Sequence, residues 1–256
     1  MVANMPKKKL GRAPAPAPRK PARSSLTSPL ARSAAEPGGA RTDTRHQIKR
    51  VATDLLIRHG YNGVSFRDIA LVLSVTTTNI HYHFGNKQGL VDEVMHDYVT
   101  EVLARHRSIW RDPNRNLHGK LRQLVLYNWE RYQQFNKGRD GGNAWSLIGR
   151  LRLDSEVLSD KARSSLASFT TTLHELIRDA VDEAWRTGEL RDDAPRQDLA
   201  FLIINIVNSS SVFTQGTGGF DRLELFFEAF SRVMLSAYAN TPASAESARK
   251  RAAVNR

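Results

Sequence analysis

The stretch Gly60-Tyr61-Asn62-Gly63-Val64-Ser65-Phe66-Arg67-Asp68-Ile69-Ala70, followed by Thr76-Thr77-Thr78-Asn79-Ile80-His81-Tyr82-His83-Phe84-Gly85-Asn86-Lys87, carries two short helical patterns with a break between them. Ser65 stands three residues before Asp68, the spacing of a capping box, with Asp in the place of the usual Glu or Gln. Phe66, Ile69, Ala70 and Leu73 then share one face. After a break near Ser74, Thr76 is placed to cap a second short helix whose inward residues, Ile80 and Phe84, lie four apart. Upstream, Ile48, Val51, Ala52, Leu55 and Leu56 make the stripe of a longer helix that ends at His59-Gly60. Two short helices joined by a tight turn and buttressed by a third predict a helix-turn-helix unit over about 65–84. Its second helix opens with Thr77, Thr78 and Asn79, where base edges are read in the major groove. Asn pairs bidentately with adenine, and Thr offers thymine both a hydroxyl and a methyl.

Gly60-Tyr61, Val64 through Ala70, Asn79 through Lys87 and Leu90 together resemble the DNA-binding domain of the tetracycline-repressor (TetR) family, over about 45 residues. The resemblance implies a three-helix DNA-binding domain on a larger helical domain that dimerises and binds an effector. Carried across position by position, it implies that Arg67 reaches a phosphate or a base and that Thr77, Thr78 and Asn79 read bases. His81 or Tyr82 would touch phosphate, and Lys87 would clamp phosphate at the start of a fourth helix. Two residues depart from the family pattern: Ser74 where Gly is usual in the turn, and His81 where Tyr is commonest. Plainer readings stand beside these, with Tyr82 as a rim residue of the small core and Lys87 as a solvated lysine. His81 and His83, two apart on a helix, point in different directions, so a shared metal is not expected.

Outward from this segment the apolar period stays near 3.6, and about nine helices with no sheet are expected, an all-α fold. Breaks fall at Gly60–Gly63, Pro113, Gly138–Gly142, Gly188, Pro195 and Gly216–Gly219. The organisation expected is a basic Pro/Ala-rich arm over 1–42 and a DNA-binding domain over 43–90. A helical ligand-binding and dimerisation domain follows over 91–240, then a basic tail over 241–256. A helix from Val91 to about Trp110 would link the reading head to the body. The last two helices, about 196–213 and 220–239, resemble in position the pair through which the family forms homodimers. Asn208-Ser209-Ser210-Ser211 is read as permitting close helix approach across that dimer, against the alternative of a frayed helix end. Polar or aromatic groups embedded in apolar stripes are the candidates for binding a small-molecule effector of unknown identity. They are Asn128, Trp129, Tyr132, Trp145, Phe169, His174 and Asn205.

Charge sharpens the partner. The chain of 256 residues carries 38 Lys and Arg against 26 Asp and Glu, a net +12. Residues 1–42 hold +8 and residues 241–256 hold +3, so the stretch between is nearly neutral. Repeated Pro and like charge predict a disordered arm over 1–42, read either as an electrostatic arm on DNA phosphates or as a solubilising extension, and residues 241–256 read as a second, shorter disordered tail. Residues 43–90 hold a net +3, the polarity of a DNA-reading head. The absence of Cys excludes disulfides and thiolate metal sites. No nucleophile elbow, zinc-protease pair or phosphate loop is present, so neither catalysis nor a cofactor is expected. Leu199–Val207, the longest apolar run, is too short to span a bilayer. The function expected is a sequence-specific, homodimeric transcriptional repressor on double-stranded operator DNA, cytoplasmic and nucleoid-associated. The alternative is non-specific binding of nucleic acid or anionic membrane through the tails.

Overall fold

The computed structural model describes residues 37–137, 142–215 and 219–240, which include nine helices and no strand. These are α1 (Pro37–His59), α2 (Phe66–Leu73), α3 (Thr77–Phe84), α4 (Lys87–Trp110), α5 (Leu117–Asn136), α6 (Leu147–Leu153), α7 (Asp160–Arg186), α8 (Arg196–Phe213) and α9 (Gly219–Phe230). α9 runs on through a wider π turn, Ser231–Leu235, to a last helical turn at Ser236–Tyr238. α1 reaches back to Pro37, into residues assigned above to the arm. The remainder of that arm, residues 1–36, and the tail 241–256 lie outside the described residues, as do most of the expected breaks at Gly138–Gly142 and Gly216–Gly219.

The starts of α2 to α7 are each set by a side chain that satisfies an otherwise orphaned N–H, whereas α8 begins after Pro195 without one. Ser65 and Asp68 form the reciprocal capping box: Ser65 N–H donates to Asp68 Oδ2 at 2.7 Å, and Asp68 N–H returns to Ser65 Oγ at 3.4 Å. The Ser65 hydroxyl also donates to that carboxylate at 2.6 Å, and these bonds hold the Asp68 carboxyl below its usual range. Thr76 caps α3, Asn86 caps α4, Asn116 caps α5, Ser146 caps α6 and Ser159 caps α7. Between α2 and α3, Ser74 sits in the left-handed region at φ 55°, with its N–H bonded to Ala70 O. That conformation explains why glycine suits the position, since an L residue there costs about 1–2 kcal/mol. Ser74 is exposed, so Ser74→Val changes backbone strain and little else. We expect it to lower stability by about 1–2 kcal/mol in urea unfolding, β-branching being least tolerated at positive φ; an unchanged midpoint would contradict the turn geometry.

Burial follows the stripes. Ile48, Ala52, Leu56 and Ile57 of α1, Phe66, Ile69 and Ala70 of α2, and Ile80 and Phe84 of α3 close a small core on Leu90, Val91 and Val94 of α4. α4 crosses from this core into the larger one, where it packs along α7 through Val102, Ile109 and Trp110 against residues such as Phe169, Leu173 and Leu176. One continuous helix therefore spans the boundary drawn at residue 90. The serine-rich end of α8 departs from expectation. α8 continues to Phe213, so the segment is not frayed, and Ser210 and Ser211 are buried inside the protomer. A Cβ added at Gly149 of α6 would stand 2.5 Å from Ser211 Oγ. Ser211 therefore lets α6 approach α8 within one chain.

Candidate nucleic-acid interface and effector cavity

α3 turns Ile80 and Phe84 inward, which leaves Thr78, Asn79, His81 and Tyr82 exposed and Thr77 half-buried. Thr78 and Tyr82, and likewise Thr77 and His81, are four apart and share a face. Arg67 is exposed on α2 beside them. The core-rim reading of Tyr82 does not fit, because its side chain is 66% exposed. His81 is more constrained than the sequence suggested. Its Nδ1 lies 2.8 Å from Gly85 O and its ring stands edge-on to Phe66 at 4.7 Å, so it helps lock α3 onto α2. Of the two phosphate candidates, Tyr82 is the one more fully presented.

Lys87 occupies the first position of α4, where a cation opposes the helix dipole. Its ammonium lies 4.2 Å from the centre of the Tyr61 ring, and burial lowers its pKa, partly offset by Asp154 and Asp68. A phosphate there would satisfy both the lysine and the helix N-terminus. The local charge is less available than its sum implies. Arg45 is ion-paired with Glu93 of α4, donates to His83 O at 2.6 Å and covers the Phe84 ring at 4.6 Å. Lys49 is ion-paired with Asp97. Two of the six cations in 43–90 therefore fasten the head to α4, a role that counting charges within the segment could not reveal.

The head meets the body at Gly60-Tyr61. Tyr61 N–H donates to Asp154 Oδ2 at 2.8 Å, just beyond α6. Gly60 has φ 73°, and a Cβ there would stand 2.7 Å from Asp154 Oδ2 and 2.9 Å from the Arg150 guanidinium. The positive φ therefore favours glycine, and a Cβ would in addition push the Asp154 and Arg150 side chains aside.

The opposite side of α6 faces a cavity of about 60 Å³ bounded by α4, α5, α6, α7 and α8. Three of the seven effector candidates, Asn128, Trp145 and Phe169, line it. The other four do not. Trp129 and Tyr132 stack at 6.0 Å and both pack on Phe220, joining α5 to α9. His174 lines a separate groove between α7 and α8, with Nε2 3.4 Å from Asn208 Nδ2. Asn205 is exposed and donates to Phe201 O on its own helix. Apolar periodicity marks a residue as inward but does not say which inward residues meet a void.

Sequence reading missed Tyr98, His106, Tyr127, Arg131, Arg152 and Asn208, which also line the cavity. Burial lowers the His106 pKa to about 4 and pushes that of Tyr127 up to about 12, so both stay neutral near pH 7. Trp110 Nε1–H donates to His106 Nδ1 at 3.3 Å, which places the imidazole proton on Nε2. Trp145 Nε1–H donates to Thr214 Oγ1 at 2.7 Å, pinning that wall to the end of α8. Asn128 Nδ2 is buried without a hydrogen-bond partner among the described residues. A larger cleft of about 890 Å³ lies around 112–120, 183–190 and 231–240, where the Glu189 carboxylate accepts Leu117 N–H at 2.8 Å. It is remote from α6 and the head, and its carboxylate already serves the start of α5.

Comparisons agree with this geometry. Residues 48–94 match the sequence model of bacterial regulatory proteins of the TetR family. The repressor DhaR of Mycobacterium sp. (strain GP1) is 23% identical over 165 residues, 64% of this chain and 79% of that protein. The repressor KstR2 of Rhodococcus jostii (strain RHA1) is 25% identical over 179 residues, 70% and 81% of the two chains. A regulator from Saccharomonospora viridis, solved in complex with choline, superposes with a TM-score of 0.63 at 19% identity, covering 78% of this chain and all of that one. No helix among the described residues is long and apolar enough to cross a membrane. Residues 48–94 thus form a DNA-binding domain of the TetR family of bacterial regulatory proteins, and the helical body behind it has the fold of solved TetR-family regulators.

Proposed function

We propose that this protein is a homodimeric repressor, working in the cytoplasm, whose two heads read a palindromic operator and release it when a small molecule occupies the cavity between α4 and α8. The observation that carries the reading is the α3 surface: Thr77, Thr78, Asn79 and Tyr82 stand on a buried Ile80–Phe84 base, and Lys87 flanks them at a helix N-terminus. The repressor role is supported by the names of DhaR and KstR2. Effector control is supported by α6, one side of which bounds the cavity through Gly149 and Arg152 while its end holds the head through Asp154 and Tyr61. Dimerisation is supported by exposed apolar side chains on the last two helices, with Phe201 and Val212 on α8, and Leu225 and Phe226 on α9 leading to Val233 beyond it.

The test is selection of binding sites from random duplexes with the purified protein. A roughly palindromic consensus is expected, and the absence of any preferred sequence would sink the proposal. On the selected site, Asn79→Ala should relax discrimination at one or two base pairs per half-site by about 1–3 kcal/mol. Lys87→Ala should instead weaken all sequences alike and flatten the dependence of log K on log salt. If Asn79→Ala left the consensus untouched, α3 would not be the reading helix.

A further inference from the structure

The cavity is lined by donors that have no anionic partner within it. Asn128 Nδ2 is buried and unpartnered. Arg152, half-buried, donates to Asn208 Oδ1 at 3.2 Å and Thr170 Oγ1 at 3.0 Å, both neutral. Arg131, also half-buried, donates to Tyr98 Oη at 2.8 Å and Gln134 Oε1 at 3.4 Å, again neutral. Neither guanidinium has a carboxylate within 4.0 Å among the described residues, although eight other ion pairs form there. No Asp or Glu lines the cavity. Arg131 has Glu101 and Asp54 nearby to balance its charge, but Arg152, withdrawn from water without a counter-charge, is an electrostatic vacancy, because desolvation is offset only by a paired anion.

We infer that the cavity takes an organic acid: an anionic carboxylate-type head held by Arg152 and Asn128, on an apolar body lodged among Phe169, Leu173 and Trp145. This rests on the reading of the cavity as the effector site. A bidentate guanidinium–carboxylate pair is the geometry Arg152 is built for, and the amide of Asn128 adds a further donor. A cationic ligand such as the choline of the Saccharomonospora viridis regulator fits badly. Cations bind aromatic faces, and here the protein's own guanidiniums already lie over them, Arg131 5.2 Å from the Tyr98 ring centre and Arg152 5.9 Å from that of Phe169. At about 60 Å³ the cavity is of head-group size, so a larger body requires its helical walls to part. That displacement is what would couple binding to α6 and the head.

Calorimetry on the full chain, free of DNA, tests the inference with phenylacetate, 4-phenylbutyrate and octanoate. Each is compared with its primary amide, and all with phenethyltrimethylammonium. At least one acid should bind about tenfold or more tighter than its amide. Arg152→Gln should bring that ratio within about threefold, Arg152→Lys should keep most of it, and Asn128→Asp should weaken the acid selectively through like-charge repulsion. Circular dichroism on each variant checks that the helices are retained. Equal binding of acid and amide, no binding by any acid, tighter binding of the ammonium compound, or a ratio indifferent to Arg152 would each overturn the inference. Operator release is measured separately. An acid that binds with the expected ratio yet leaves operator affinity unchanged would remove the effector reading and keep the anion site. Release by neutral or cationic compounds, unaffected by Arg152→Gln, would do the reverse.

Discussion

Leu225→Glu is expected to turn the proposed dimer into a monomer and to cut operator affinity by about a hundredfold or more. Leu225 is 62% exposed on α9, near Phe226 and Val233, and the neighbouring α8 exposes Phe201, Asn205 and Val212. Phe213 and Phe226 stack at 4.9 Å, which fixes the two helices side by side. A solitary domain rarely leaves so much aliphatic and aromatic surface contiguous. In a two-fold interface the substitution occurs twice, and each unpaired carboxylate costs several kcal/mol when buried. The dimer dissociation constant should therefore rise by about a thousandfold or more. A single head would then contact only one half-site, and operator binding would fall with it. Sedimentation velocity and operator titration read the two effects. Leu153→Glu, at an 80% exposed leucine on α6 outside these helices, is the control that should leave both unchanged. A Leu225→Glu protein that remained a dimer of full affinity would show that the partner seats elsewhere.

The acid limb of the stability curve carries the second large effect. His106 is 4% exposed, and burial lowers its pKa to about 4, against about 6.5 for a free imidazole. The folded-state value is depressed, so the neutral ring's contribution is intact above pH 6.5. It is lost as the pH falls toward 4, because the unfolded chain takes up a proton that the native state refuses. The loss is roughly 1 kcal/mol per pH unit across that window, and about 3 kcal/mol in all. His106→Gln keeps an acceptor for Trp110 Nε1–H but removes the titration. Urea unfolding at pH 4, 5, 6 and 7 should give the variant a shallower fall than the parent. Carboxylates common to both proteins cancel in the comparison. Equal slopes would mean that His106 is not held neutral by burial.

The DNA-reading half was legible because its signals are local. Ser65 and Asp68, Thr76, Gly60, Gly85 and the Ile80–Phe84 pair each act within four residues of a backbone group, and all appear where spacing placed them. The same locality explains the long stripe on α7, where Leu166, Phe169, Leu173, Leu176, Ile177, Ala180 and Ala184 are all buried. The lining of the cavity between α4 and α8 was less legible, because its contacts are distant in sequence. Arg152 meets Asn208 across 56 positions and Trp145 meets Thr214 across 69, and no periodicity within either segment encodes those meetings. Trp129 and Tyr132 had the right character for a pocket but found Phe220 first.

By itself, the sequence determined an all-helical chain with a capped helix-turn-helix and a polar reading face, because helix period, caps and turns depend on neighbours along the chain. Tertiary structure alone decided which cations remain for DNA, since Arg45 and Lys49 are claimed by acids of α4. It alone buried Ser210 and Ser211 within the chain and set Ser211 against Gly149 of α6. It alone gathered Arg131, Arg152 and Asn128 around one small void. Charge pairing and cavity shape depend on which helices cross, and helix crossing is set by packing between segments far apart in the chain.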